Sequence, residues 1–225
     1  MAGLSPGAIA SIFGTNLSSA PAAGVQPGLV PGTNTLNVIS NGTRVTFDGV
    51  AAPLFFVSPG QLNVQVPFEV AGKSSTQVVV TLAGTPSPPV TVPILPATPA
   101  LFTRSSTGKG PAVVLNQDGT LNAAANGASA GSVIQLYATG LGAVSPPVAT
   151  GRLARTSAPL ALSTETPAVT IDGLPASVEF SGLSPGFVGL WQVNVRLPSA
   201  VRTGEAPLLL RMSGQNANPV TVFVK

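Results

Sequence analysis

Two pentapeptides in the chain have the spacing of a nucleophile elbow. Gly3-Leu4-Ser5-Pro6-Gly7 and Gly182-Leu183-Ser184-Pro185-Gly186 both read Gly-x-Ser-x-Gly, the pattern that raises a serine on a tight turn for acyl transfer. That chemistry needs a general base, and the sequence contains no histidine. It also draws the backbone N–H of the residue after the serine into the oxyanion hole. In both copies that residue is proline, which has no N–H to give. A Pro-Gly turn between strands accounts for both pentapeptides, and no residue is assigned as catalytic.

Other candidates reduce to turns in the same way. Ala71-Gly72-Lys73-Ser74 ends like a phosphate-binding loop, but the first glycine of that motif is replaced by Pro67 and no helix is expected to follow. Asn116-Gln117-Asp118-Gly119 resembles part of a calcium loop, without the remaining oxygen ligands or the closing glutamate. The seven acids, Asp48, Glu69, Asp118, Glu165, Asp172, Glu179 and Glu205, are dispersed, so paired carboxylates for glycoside hydrolysis would need a chance meeting in the fold. Cysteine is absent, which removes disulfides and thiolate metal sites. The expectation is no enzyme, no metal and no cofactor. Asn16-Leu17-Ser18 and Asn41-Gly42-Thr43 are formal glycosylation sequons, a motif too short to assign a site by itself. Tyr137 and Trp191 could in principle stack on a sugar. Trp191, however, shares its strand parity with Val193, Val195 and Leu197, which places it in a core; ligand-binding residues are left unassigned.

The elements that carry these residues are strands. Hydrophobic residues make up 44 % and charged residues 8 % of the 225, which excludes a disordered chain. The 25 glycines and 23 prolines are spread between apolar runs, as turns between many strands require. A net charge of +3 comes from ten basic residues that never cluster, so the composition does not describe a nucleic-acid surface. No apolar run approaches the roughly 18 residues of a membrane span. The first basic residue is Arg44, so a signal-peptide n-region is missing, and the sequence reads as a segment of something longer.

The chain is one unit written twice. Ser5 to Leu17 answers to Ser129 to Leu141, and Val45-Thr46-Phe47-Asp48-Gly49-Val50 to Val169-Thr170-Ile171-Asp172-Gly173-Leu174. Ser58-Pro59-Gly60 answers to Ser184-Pro185-Gly186, Gln61 to Pro67 answers to Gln192 to Pro198, and Pro89-Val90-Thr91-Val92 to Pro219-Val220-Thr221-Val222. Within each unit apolar residues alternate with period two: Leu62, Val64, Val66; Val78, Val80, Leu82; Val90, Val92, Ile94; and, in the second unit, Val193, Val195, Leu197; Leu208, Leu210, Met212; Val220, Val222, Val224. These sets are expected to face inward. Asp48-Gly49 and Asp172-Gly173 supply the positive φ values of two-residue hairpins. The pattern predicts two immunoglobulin-like β-sandwiches, at residues 1–95 and 128–225. They are joined by a structured connector, 96–127, with a hairpin at Pro111–Leu121 that packs on one domain or both.

Several of these segments resemble a known family, the Solibacter-type uncharacterised C-terminal domain of exported bacterial proteins. The segments are Leu4 to Ala8 with Ile12 to Leu17, Phe56-Val57-Ser58-Pro59-Gly60-Gln61-Leu62-Asn63-Val64-Gln65-Val66-Pro67, Leu115 to Asn122, Leu136 to Gly142 and Pro185 to Asn194. Each half also resembles the TIG-type (E-set) immunoglobulin-like domains. The resemblance implies an extracellular or cell-surface location behind a longer exported polypeptide, and it supplies no mechanism. The expected function is a non-catalytic structural, adhesive or protein-interaction module whose partner is a protein or a polysaccharide. A carbohydrate-binding module and a self-assembling subunit pairing through strand edges are the alternatives.

Overall fold

A computed structural model describes residues 3–140 and 142–225; Met1, Ala2 and Leu141, the last of which closes the second copy of the first matched segment, lie outside the described residues. The chain is all-β, a tandem of two immunoglobulin-like sandwiches. In the first copy β1 (Ile9–Phe13), β5 (Leu54–Val57) and β6 (Gln61–Gln65) form one sheet in the order β1-β6-β5. The facing sheet is built on β3 (Thr43–Phe47) and β7 (Ser75–Leu82), flanked by β2 (Ile39–Ser40), β4 (Val50–Ala51), β8 (Thr85–Pro86) and β9 (Val90–Pro93). Leu62, Val64 and Val66 are fully buried against Val45, Phe47 and Leu54, as strand alternation requires.

The connector contributes β10 (Ala100–Leu101) and β11 (Val114–Leu115). The second copy follows with β12 (Val133–Thr139), β13 (Val144–Ser145), β14 (Leu162–Ser163), β15 (Ala168–Ile171), β16 (Leu174–Leu183), β17 (Trp191–Arg196), β18 (Gly204–Met212), β19 (Gln215–Asn216) and β20 (Val220–Val224). Registers repeat: Phe13 faces Gln61 as Tyr137 faces Gln192, and Phe47 faces Val78 as Ile171 faces Leu208. A bulge on β5 between Leu54 and Phe56, opposite β6, recurs on β16 between Val178 and Phe180, opposite β17, so even this departure from regular pairing is shared. One difference stands out. The first copy interrupts β4 and β5 at Ala52-Pro53, whereas the second has Ala176-Ser177 there and runs on as β16, which pairs with β15 at its start and β17 at its end.

Both Asp-Gly pairs adopt the expected left-handed turn, with φ of 47° and 85° at Asp48-Gly49 and 54° and 76° at Asp172-Gly173. The connector belongs to the second core. β10 and β11 pair with the outer edge of β12, and Leu101, Ala112 and Val114 are buried among the residues of that sandwich. Its hairpin turns at Asn116 to Thr120, with a bridge between Leu115 and Leu121. Gly140 lets the connector approach, since a Cβ there would stand 1.9 Å from the Thr98 carbonyl oxygen. No helix among the described residues is long and apolar enough to cross a membrane.

Trp191 is fully buried and anchors the second core. Its indole N–H donates to Ser181 Oγ at 2.9 Å, and Ser181 Oγ lies 2.8 Å from Ser163 Oγ on β14. Gly182 makes room for β14, because a Cβ would meet the Ala161 carbonyl oxygen at 2.4 Å. The first copy has exposed Gly60 where the second has Trp191. Trp191→Ala removes a buried indole and leaves a cavity, and is expected to destabilise the fold by about 3–5 kcal/mol, read as a lowered midpoint in thermal unfolding. Trp191 is the sole tryptophan, so native emission should be blue-shifted and resistant to acrylamide; red-shifted, readily quenched emission would contradict its burial.

Candidate functional site

The two elbow serines are both buried. Ser5 is fully buried with its Oγ 2.9 Å from Thr98 Oγ1, and buried Ser184 lies with its Oγ 3.2 Å from Gln192 Oε1. Lys73, the lysine of the loop-like Gly-Lys-Ser, holds Asp48 at 2.7 Å. Asp118 accepts from the Thr120 N–H at 3.0 Å and from its hydroxyl at 2.6 Å, tying the connector turn shut.

Each of the seven carboxylates is engaged at a turn, a strand end or a contact between the copies. Asp172 takes Arg202 Nε at 2.7 Å, Glu179 takes Arg196 Nε at 2.7 Å, and Glu165 receives both the N–H and the hydroxyl of Ser213. Glu205 accepts from Thr221 Oγ1 at 2.6 Å, and Glu69 from Thr150 Oγ1 at 2.6 Å. Among the described residues no three acidic, histidine or cysteine side chains gather as metal ligands would. The arginine beside Asp172, the Ser213 hydroxyl on Glu165 and the Thr120 hydroxyl on Asp118 each hold those carboxyls below their ordinary pKa.

The two candidate sugar-stacking rings do not form a platform. Trp191 points into the core, and Tyr137, on the opposite face of the neighbouring strand, carries a phenol pushed up by burial and placed 3.4 Å from Gln135 Oε1. The exposed aromatics are Phe13 and Phe187, which alternation alone does not single out. Phe13 stands at the end of a polar row on the outer face of its sheet, where Gln61 Nε2 and Ser11 Oγ both donate to Asn63 Oδ1 at 2.8 and 3.0 Å.

Two further features come from the tertiary structure. One is the joint between the copies, centred on Gln65. Parity puts Gln65 on the outer face of β6, yet it is 1 % exposed, because its Oε1 accepts from the Gly151 N–H at 2.6 Å. Around it the Phe68 N–H donates to Thr150 Oγ1, the Ile9 N–H to Thr139 Oγ1 and the Leu153 N–H to Asn34 O, while the Phe68 ring packs on the second core. The other feature is an apolar cleft of about 410 Å³ in the first copy, between β1 on one sheet and β7 and β9 on the other, lined by Leu4, Ala10, Ile12, Val78, Val90 and Val92. Val90, assigned inward by alternation, is 47 % exposed there. The alternation is regular, but the seam that would cover Val90 is open.

No family model and no curated protein matches the chain. It is similar to the surface glycan-binding protein SGBP-B of the Bacteroides ovatus mixed-linkage glucan utilization locus, solved with a mixed-linkage heptasaccharide, at 14 % identity and a TM-score of 0.35 over 99 % of this chain and 44 % of that one. It is similar to the I9–I11 tandem of titin at 11 % identity and a TM-score of 0.26 over 99 % of this chain and 62 % of that one. A third similarity is to domains 5–6 of the S-layer protein SbsC, at 16 % identity and a TM-score of 0.22 over 96 % and 95 % of the two chains. The chain thus spans less than two thirds of the first two structures. The likeness ends at tandem immunoglobulin-like architecture.

The Asp48 turn gives a pH prediction. The Lys73 ammonium on Oδ2 and the Gln77 N–H on Oδ1 hold its carboxyl down at about 2. Because the folded pKa lies below the ordinary value of 3.8, the stabilisation from this turn is complete above about pH 4. It is lost as the pH falls toward 2. Carbon-detected NMR titration should find the Asp48 midpoint at about 2 and, in Lys73→Met, a midpoint displaced upward; an unchanged midpoint in the variant would refute the assignment.

Proposed function

We propose that the chain is a non-catalytic structural or protein-interaction module of an exported or cell-surface bacterial protein. The observation that carries this reading is the engagement of all seven carboxylates at turns, strand ends and the joint, together with the burial of both elbow serines. A general acid or base needs a carboxyl free to exchange a proton with a substrate; all seven are taken up by hydrogen-bond donors of the fold itself, and those of Asp48, Asp118, Glu165 and Asp172 are held below their ordinary pKa by them. The joint supports the structural part of the reading: four hydrogen bonds, reaching from Ile9, Asn34 and the 65–68 segment of the first copy, tie it to the second. The exported location rests on the motif resemblance to the Solibacter-type family.

A carbohydrate-binding role is the second reading, favoured by one local arrangement: the exposed Phe13 ring beside the amide row of Gln61 and Asn63 on the outer sheet face. The expected results for the leading reading are threefold. Extensively dialysed protein carries no stoichiometric divalent metal; it shows no turnover of ester, glycoside or phosphoester substrates through purification; and its migration is unretarded in gels cast with soluble polysaccharides. Turnover that co-purifies with the protein would defeat the non-catalytic assignment. Retardation by a β-glucan that Phe13→Ala abolishes would put the carbohydrate reading first.

A further inference from the structure

The internal repeat allows each position of the first sandwich to be compared with an equivalent position in the second, and the two differ at the seam between the first and last strands. In the second copy residues 110–115 lie in that seam. The Ala112 N–H donates to the Thr221 carbonyl at 2.9 Å and the Thr221 N–H to the Gly110 carbonyl at 3.1 Å, which pairs the segment parallel to β20. On its other side the Tyr137 N–H donates to the Val113 carbonyl at 3.2 Å, and β11 runs antiparallel to β12. Ala112 and Val114 point inward, and the core beneath is closed: Leu136 and Leu210 are fully buried and Val220 is 4 % exposed.

The equivalent positions in the first copy are bare. Ile12, Val80 and Val90 stand where the second copy has Leu136, Leu210 and Val220; the first two are half-buried and Val90 is 47 % exposed. Register places the main-chain groups of Ser11 and Phe13 on the outer edge of β1 and those of Thr91 on the outer edge of β9. Among the described residues nothing pairs with them. The Phe13 ring at that edge is 72 % exposed. A parallel ladder on the last strand has nonetheless been started. The Leu4 N–H donates to the Pro93 carbonyl and the Leu95 N–H to the Leu4 carbonyl, just as Ala128 sits between Phe223 and Lys225 in the second copy. An occupant of the seam would continue this existing pairing, with its donors and acceptors already set.

The geometry points to the seam between β1 and β9 as a docking site for an extended segment of a partner protein, one that alternates small apolar residues and lies antiparallel to β1 and parallel to β9. The chemistry of the occupant is read from the filled copy: inward side chains the size of alanine and valine, and backbone groups that meet Phe13 and Thr91 as Val113, Gly110 and Ala112 meet Tyr137 and Thr221. Backbone pairing supplies the attraction and the alternate pockets the selectivity. This assignment rests on the reading of the chain as an interaction module, and it names the surface used.

The probe is a fluorescein-labelled synthetic peptide copying residues 109–122, with a scrambled peptide as control, titrated into the full chain. Saturable binding is expected, with hydrogen exchange slowed at the Ser11, Phe13 and Thr91 amides. Val90→Glu should weaken binding by at least tenfold while thermal unfolding stays unchanged, and Leu209→Glu, at an exposed position of the second copy, should leave binding as it is. If the folded chain ignores the peptide, or if protection falls on other amides, the assignment is overturned. Concentration-dependent dimerisation that protects the same three amides without peptide would make a second copy the occupant and overturn the partner assignment. Failure of the wider reading is recognised separately, by turnover or polysaccharide retardation, which a silent peptide titration does not produce.

Discussion

In a two-sheet sandwich the strands that border the seam have no backbone partner across it, so the apolar residues beneath stay dry only if something is laid over them. Much of this chain is arranged around that constraint. The connector fills the seam of the second copy with its own strand, and the inward residues of β12, β18 and β20 are buried to within a few per cent as a result. Gly140 then lets the start of the connector press against the end of β12. In the first copy the same residue pattern meets an open seam, and identical alternation yields a half-exposed edge. Burial at these positions is set by what covers the strand as much as by which residue occupies it.

The joint between the copies obeys a different rule. It is largely polar, and its central group is an amide taken out of water with its oxygen held by the Gly151 N–H. Removing one partner from a buried hydrogen bond leaves the other unsatisfied, at a cost of about 1–3 kcal/mol. The Gln65 to Gly151 bond therefore makes one relative placement of the copies much better than its neighbours. The Phe68 ring adds apolar contact to the second core, beside a main-chain N–H that is itself held by Thr150. Polar registration and apolar adhesion come from adjacent residues of one short segment, 65–69.

Strand identity and turn type were legible in the sequence because both are local. Period-two alternation assigns Leu62, Val64 and Val193 to cores, Asp-Gly places two hairpins, and parity alone puts Trp191 inside. Gln65 was not legible. It follows the polar phase of its strand, and what buries it is a backbone 86 residues away. Val90 fails in the opposite sense, since periodicity reports which face a side chain takes and says nothing of whether that face is covered. The connector was recognisable as structured from Ala112-Val113-Val114-Leu115, but its assignment to the second sandwich depends on pairing with β12 and β20, on either side of it in the fold. As for chemistry, the absence of histidine and the proline after each serine decided against the elbow from the sequence. That all seven carboxylates are engaged is visible only in three dimensions.

The parallel bridges that open each copy also determine how the chain would bear tension. Leu4 is hydrogen-bonded between Pro93 and Leu95, and Ala128 between Phe223 and Lys225, so in both sandwiches the leading segment lies alongside the trailing one and points the same way. A force drawing the two ends of a sandwich apart pulls these neighbours past each other along their length. It loads the bonds of the bridge together, in shear, where an antiparallel pair pulled from adjoining ends would release them one after another. Each sandwich is thus latched along the line on which a polypeptide tethered at both ends is stretched.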